Sequence, residues 1–410
     1  MYSKTYQSRG VHPREKVTTD EKMSIIITRW AFFLLLASSV TAQRKIFNIG
    51  SYGGRPNGDI TQALTNAWKD ACASIVPSLI AVPKANYNMG VVLLKGPCKA
   101  PSIELHVEGV IRAPSNVAQM KGASQWVQVA YVNAFTLSGN GVFDGQGPVA
   151  WKQNDCTHNK KCNWPTMNFG FNFINNSYIM GVTSKDSKNF HVNVISCHNI
   201  NFSGFKISAP EGSPNTDGIH IGRSKGVTVK NTRIGTGDDC VSIGDGNSNI
   251  TVENVSCGPG HGISVGSLGR YNNEAPVVGV IIKNCTLTNT MNGVRIKTWP
   301  GTPGAIQVSN LHFEDIVMNN VSNPVIIDQE YCPWNQCNKK SPSKIRISNV
   351  SFKNIRGTSG TAEGVSLICS AGVPCQNVEL NNINLTFKGA KVTAKCSHAR
   401  PRITANAPAC

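Results

Sequence analysis

Apolar and polar residues alternate in short runs along most of the chain, and the runs recur. Seven segments align without gaps: "CHNINFSGFKI" from Cys197, "SKGVTVKNTRI" from Ser224, "NSNITVENVSC" from Asn247, "VVGVIIKNCTL" from Val277, "VSNLHFEDIVM" from Val308, "ISNVSFKNIRG" from Ile347 and "CQNVELNNINL" from Cys375. Their starts lie 27, 23, 30, 31, 39 and 28 residues apart, a solenoid period. Apolar positions alternate inside each unit, as at Ile250, Val252 and, past a turn, Val255, so each predicts a short strand with one buried face. The third position is always Asn or Gly (Asn199, Gly226, Asn249, Gly279, Asn310, Asn349, Asn377), and the eighth is Gly204, Asn231, Asn254, Asn284, Asp315, Asn354 or Asn382. Such residues tolerate left-handed turn conformations, and stacked Asn side chains can bond one another in a ladder. A leucine-rich horseshoe would repeat leucines at fixed offsets, and an α-solenoid would show a 3.6-residue period. The pattern instead predicts an all-β, single-domain parallel β-helix with rungs ~4.8 Å apart.

A second strand follows each of these. "DGIHI" (217–221), "DCVSI" (239–243), "HGISV" (261–265), "NGVRI" (292–296), "NPVII" (323–327) and "EGVSL" (363–367) align at intervals of 22, 22, 31, 31 and 40 residues. Their first column stacks Asp217, Asp239, His261 and Asn292 on successive rungs, with Asp238 beside it. The fourth residue faces away from the buried third and fifth, which gives an outward column of His220, Ser242, Ser264 and Arg295, with Lys297 pointing the same way. Simple alternation would aim the first column inward, so the Gly-rich turn before it must re-aim those side chains outward.

Composition agrees with a strand-and-turn protein: 38 glycines, and only 15% of residues charged. At the N-terminus, "MSIIITRWAFFLLLASSVTAQ" from Met23 reads as a secretory signal cleaved after Ala42, with Met23 the expected start of translation. Residues 1–42 are thus an extension and signal, and 43–410 the β-helix domain. The apolar run is too short to span a bilayer comfortably. Fourteen cysteines would then meet an oxidising compartment, where an even number argues for disulfides; Cys332–Cys337, Cys369–Cys375 and Cys396–Cys410 are plausible local pairs. There is no CxxC pair to suggest zinc.

The formal charge is +17; residues 1–42 hold six Lys/Arg and three Asp/Glu, so the remainder keeps 17 − 3 = +14. A secreted chain this basic points to a polyanionic partner. With no nucleic-acid-binding motif, acidic polysaccharide leads.

Three carboxylates, an imidazole and two cations thus fall on one face. Hydrolysis of a glycosidic bond needs a protonated acid at the leaving oxygen and an ionised base at the attacking water, and repulsion among nearby carboxylates separates their proton affinities. Arg295 can grip a substrate carboxylate with a fork, and Lys297 acts as a point charge. Each piece alone has a plainer reading: a solvated Asp turn or calcium ligand, a tight "GHG" turn, a solvated strand face. The nearby "DGNSN" (245–249) begins a calcium-loop spacing but lacks its Gly.

"NTDG" (215–218), "GDDC" (237–240), "GHG" (260–262) and "RIK" (295–297), in that order, resemble the signature motifs of glycosyl hydrolases family 28, the polygalacturonases. "SPNTDGIHIGRS" and "EYCPWNQC" are most similar to plant pollen-type exopolygalacturonases. The resemblance implies a right-handed β-helix that hydrolyses α-1,4 bonds between galacturonic acid units of cell-wall pectin, with inversion and without metal or other cofactor. It implies Asp238 as general acid, Asp217 and Asp239 as activators of water, and His261 as a group tuning the acid. Arg295 and Lys297 would bind galacturonate carboxylates, and Asn215 and Tyr331 would line the subsite. It also implies a Cys240–Cys257 disulfide. Exo attack would need loops closing one end of the groove, for which "SLGRYNNEAP" (267–276) and "EYCPWNQC" are candidates. Endo attack, a calcium-dependent pectate lyase and a non-catalytic pectin-binding β-helix are the alternatives, and a monomer is expected.

Overall fold

The seven aligned segments stack in the register of their alignment. Their second residues, His198, Lys225, Ser248, Val278, Ser309, Ser348 and Gln376, are consecutive parallel partners. The structure, a computed structural model, describes Met1 and residues 44–410 apart from 157, 158, 160, 161 and 336, so the signal segment expected over 1–42 falls outside the described residues.

All fourteen residues of the third and eighth positions have φ between 50° and 75°. This left-handed region is costly for most side chains and cheap for Gly and Asn. A single such residue turns the chain a corner while its neighbours stay extended, so the strand Lys225–Gly235 bends at Asn231 from one face of the coil to the next. The corner amides bond down the stack: Asn254 to Asn231 (2.7 Å), Asn377 to Asn349 (2.7 Å) and Asn382 to Asn354 (3.0 Å), nitrogen donating to oxygen. These exposed rows of amides tie successive corners to one another along the coil.

The bent strands form two faces of the coil, and the second set of strands forms a third. Eleven parallel strands, from Val92–Lys95 to Thr393–Ser397, make up this third face in unbroken rung order. Four of them matter below: β1 (Ile219–Gly222), β2 (Val241–Ile243), β3 (Ile263–Leu268) and β4 (Asn292–Thr298). Inward side chains stack like on like. Ile219, Val241, Ile263 and Val294 are successive partners with no exposed surface, and Phe313 lies flat on Phe352 with centroids 4.8 Å apart.

The all-β expectation omits the helices, a short one over Pro148–Gln153 and a longer one at the first coil. Helix α1 (Thr61–Ala73) buries Ala63, Leu64, Ala67, Trp68 and Ala71, one face at helical spacing, in the apolar core. Asp59 Oδ1 accepts from Thr61 N at 2.7 Å to start it, and Cys72–Cys98 ties its end. A solenoid exposes apolar surface at its first coil unless something covers it, and α1 serves that purpose.

Cys240–Cys257, Cys332–Cys337, Cys369–Cys375 and Cys396–Cys410 are bonded as expected, as are Cys72–Cys98 and Cys156–Cys162, which the spacing did not single out. The even count overstates the bonding: Cys197 and Cys285 are free and buried, filling inward positions as small apolar side chains.

If the left-handed corners govern stability, Asn231→Ala costs roughly 1–2 kcal/mol and Asn231→Gly much less, read as a shift in thermal midpoint. Equal losses from the two would contradict this account of the corners.

Candidate active site

Because Ile219, Val241, Ile263 and Val294 are partners, the residues two positions earlier, Asp217, Asp239, His261 and Asn292, stand one above another. Backbone bonds extend the ladder to them: Gly218 N to Asp239 O and Cys240 N to Gly262 O, both 2.8 Å. The outward column of His220, Ser242, Ser264 and Arg295 is in direct register as well. The expected re-aiming occurs, since Ser242 Oγ donates to Asp217 Oδ2 at 3.0 Å and Ser264 Oγ to Asp239 Oδ1 at 2.9 Å. First-column carboxylates therefore meet the outward hydroxyls. Gly262, at φ +88°, shows how tight the turn is: a Cβ there would sit 2.1 Å from the carbonyl oxygen of Asn292. Only glycine fits.

The three carboxylates have three different settings. Asp239, 1% exposed, accepts from Arg295 Nη2 at 2.9 Å and from Lys297 Nζ at 2.6 Å. Burial alone would raise its pKa, but Lys297 and Arg295 outweigh burial and hold it below the usual carboxylate range. Asp217 lacks such partners. Burial, then repulsion from Asp238 and Asp239, lifts its carboxyl well above the usual range, with Lys297 and Ser242 offsetting part of the rise. Asp238 is the most open of the three, its side chain a quarter exposed. Its Oδ1 accepts from Asp239 N at 2.8 Å and lies 3.1 Å from His261 Nδ1. Two like charges follow one another in the chain because one is neutralised by cations from β4 and the other faces the groove.

His220 completes a chain. Its Nδ1 is 2.8 Å from Ser242 Oγ, and since that hydroxyl gives its one proton to Asp217, Nδ1 carries the donor hydrogen. Burial drives the His220 pKa down to about 4, so the ring is neutral near pH 7. Sequence reasoning placed His220, Ser242 and Ser264 on this face but gave them no task; their task is to fix the carboxylates.

Arg295 and Lys297, expected as substrate binders, are first of all bound to Asp239 and are nearly buried. Tyr331 covers both cations, its ring centroid 5.8 Å from the Arg295 guanidinium and 5.3 Å from Lys297 Nζ. Asn215 donates to Asn189. Tyr331, Asn215 and Asn189 border a hollow of about 540 Å³ together with Trp164, Trp299 and Arg270 of the "SLGRYNNEAP" stretch; Asn189, Trp164 and Trp299 carry no signal in the sequence. A second hollow of about 450 Å³ flanks His261 on the side of Glu211, Met291 and Asn320. A larger one, about 590 Å³ between Asp59, Arg112 and Gln146, includes none of these residues.

Donor atoms of Asp238, Asp239 and His261 come within 4.8 Å of one another, close enough to hold a metal ion. Lys297 and Arg295 already occupy the two Asp239 oxygens, which makes this donor set a poor fit to a divalent cation. The calcium-like "DGNSN" is a structural corner: Asp245 pairs with Arg223 Nε at 3.2 Å, and Asn247 Nδ2 donates to Ile221 O and Gly244 O.

Opposite shifts predict opposite stability effects. A depressed folded pKa makes Asp239 stabilising above its unfolded value of ~3.9, with that contribution lost as pH falls through the folded value. Asp239→Asn strands two buried cations and costs about 3–5 kcal/mol at pH 7. A raised folded pKa makes Asp217 destabilising as pH climbs above ~3.9, so Asp217→Asn raises the melting temperature at pH 7 and leaves it unchanged at pH 3. Melting curves of both variants at the two pH values check this; a loss of stability in Asp217→Asn at pH 7 contradicts it.

Known proteins match this chain over most of its length. The profile of glycosyl hydrolases family 28 matches residues 72–409. A polygalacturonase of Medicago sativa is 59% identical over 382 residues, covering 92% of this chain and 90% of the relative, and an exopolygalacturonase of Oenothera organensis is 54% identical over 84% and 95%. Among solved structures, an exopolygalacturonase from Thermotoga maritima superposes with a TM-score of 0.74 at 20% identity, over 88% of this chain and 90% of that one, and it supports the right-handed parallel β-helix. On the extent of these matches, the chain belongs to glycosyl hydrolases family 28.

Proposed function

We propose that this protein hydrolyses the α-1,4 bonds between galacturonic acid units of polygalacturonate, inverting the anomeric centre and releasing galacturonate from a chain end. The observation that carries this reading is the placement of Asp217, Asp238 and Asp239 on adjacent rungs, with Arg295 and Lys297 on the same face. Family membership and the names of the relatives support polygalacturonate as substrate.

Asp238 fits the general acid. It is the most open of the three carboxyls, and its Oδ2 has no hydrogen-bond partner among the described residues while Oδ1 is held by Asp239 N and His261. Its proton passes to the glycosidic oxygen as the C1–O bond breaks. A water on the opposite face of the ring bonds to C1 and yields its proton to the Asp217–Asp239 pair, of which Asp239 is the ionised member. One proton leaves the cluster and one enters, so the net charge beside Arg295 and Lys297 is the same before and after the step. His261 orients the acid. Lys297 Nζ and the Arg295 guanidinium each retain N–H groups beyond those given to Asp239, and these can bond a substrate carboxylate without releasing it.

The excess of Lys and Arg over Asp and Glu, 40 against 23, favours encounter with an acidic polymer. Processing after Ala42 and export to the cell wall agree with the disulfides and with the plant relatives. Among the described residues no helix is long and apolar enough to cross a membrane. A single coil capped by α1 suits a monomer.

Asp238→Asn is expected to lower kcat on polygalacturonate by about 10²–10⁴-fold while the variant still binds oligogalacturonate. Full activity in Asp238→Asn would rule out the assigned acid. Exo attack predicts that reducing ends accumulate long before viscosity falls; an early collapse of viscosity would show cuts within the polymer instead.

A further inference from the structure

Two of the three cations along the wall of the active-site groove are already neutralised, since Arg295 and Lys297 share Asp239. The third is Arg270. It borders the 540 Å³ hollow, and no carboxylate among the described residues pairs with it. Its guanidinium lies over the Trp299 ring at 5.1 Å and 5.5 Å from the Tyr271 centroid. Trp299 meets Tyr331 edge to face at 5.5 Å, and Tyr331 covers Arg295 and Lys297. A continuous wall of alternating cations and rings therefore runs from Arg270 to the catalytic carboxylates.

The segment carrying Arg270 is held in place. Glu274 accepts from Gly269 N at 2.6 Å and from Tyr271 N at 3.0 Å, so the nearest acid in sequence spends its oxygens on backbone. Ala275 N donates to Asp245 at 3.1 Å. A second observation at the same wall is independent of charge: the Trp299 indole N–H is buried and has no acceptor among the described residues. Unpaired buried donors are uncommon and call for an explanation. A guanidinium without a carboxylate partner beside an unsatisfied N–H leaves donors at one edge of the hollow open to an acceptor from a bound ligand.

We propose that Arg270 heads a carboxylate-recognition subsite in this hollow, reading the acid group of the galacturonate unit that lies there next to the bond being cut. The proposal rests on polygalacturonate being the substrate. Arg295 and Lys297 hold the reacting centre, and Arg270 distinguishes an acidic sugar from its neutral counterpart one unit away. A forked guanidinium suits a carboxylate with two parallel hydrogen bonds. Arg270 is a specificity residue; it takes no part in moving the proton.

The test compares the parent with Arg270→Gln and Arg270→Lys on trigalacturonate and on the same trisaccharide with its carboxyls reduced to alcohols. Arg270→Gln is expected to raise KM for trigalacturonate by about tenfold to a hundredfold with kcat little changed, and to weaken product inhibition by galacturonate by a similar factor. Arg270→Lys recovers part of the loss, and the parent's preference for the acidic over the reduced substrate shrinks in Arg270→Gln. A Gln variant with unchanged KM and unchanged inhibition overturns the subsite, while a parent inactive on polygalacturonate overturns the function on which it rests. A fall in kcat with KM intact also counts against the proposal, because it would place Arg270 in the chemistry. Matching melting temperatures for parent and variants separate these outcomes from misfolding.

Discussion

A rung spacing of ~4.8 Å makes neighbours of any residues that share a register, whether or not their charges agree. Asp217 and Asp239 are 22 residues apart in the chain and one rung apart in space, with Asp238 alongside. Everything chemical in this protein follows from forcing those three carboxyls together. The forcing comes from apolar stacking beneath them, where Ile219, Val241, Ile263 and Val294 are wholly buried, and from corners that only Asn, Gly or Asp make cheaply. The coil is rigid enough to impose a contact that the carboxyls themselves oppose.

Asymmetry makes the contact useful. One carboxyl is neutralised by two cations from β4, one is buried without any, and one faces the groove. A site that requires an acid and a base within one cluster obtains both from the same residue type through environment alone. The cost appears as stability withheld at Asp217, and its offset lies in the core and the capped first coil. Arg270 stands outside this balance as the wall's one cation without a carboxylate partner among the described residues.

Much of this was legible in the sequence because a solenoid turns a linear period into a vertical one. The seven-segment alignment is the observed register residue for residue, and the column of Asp217, Asp239, His261 and Asn292 was read from the same spacing. Helix α1 was missed because it belongs to no repeat, although "TQALTNAWKDACA" carries its apolar residues at helical spacing. An even cysteine count argues for disulfides, yet the free Cys197 and Cys285 sit where the repeat puts inward apolar side chains, a position the alignment already displays. Asn189, Trp164, Arg270 and Trp299 lie on turns and straps whose lengths vary from rung to rung. Their convergence depends on loop paths, and periodicity says nothing about those. The ion pairs to Asp239 were hidden for another reason: Arg295 and Lys297 were read as facing substrate, when reach and burial turn them first toward a carboxylate two rungs away.

The central claim is that crowding on adjacent rungs splits the carboxyls of the resting enzyme into a proton-holding member and an ionised one. Carbon-13 NMR of side-chain carboxyls in aspartate-labelled protein, followed through a pH titration, tests it most directly. The account predicts one aspartate of the cluster that keeps its proton well above the ordinary value of ~4, and a second that stays ionised well below it, with the first shift abolished in Asp217→Asn. Three cluster aspartates all titrating together near ~4 would contradict it.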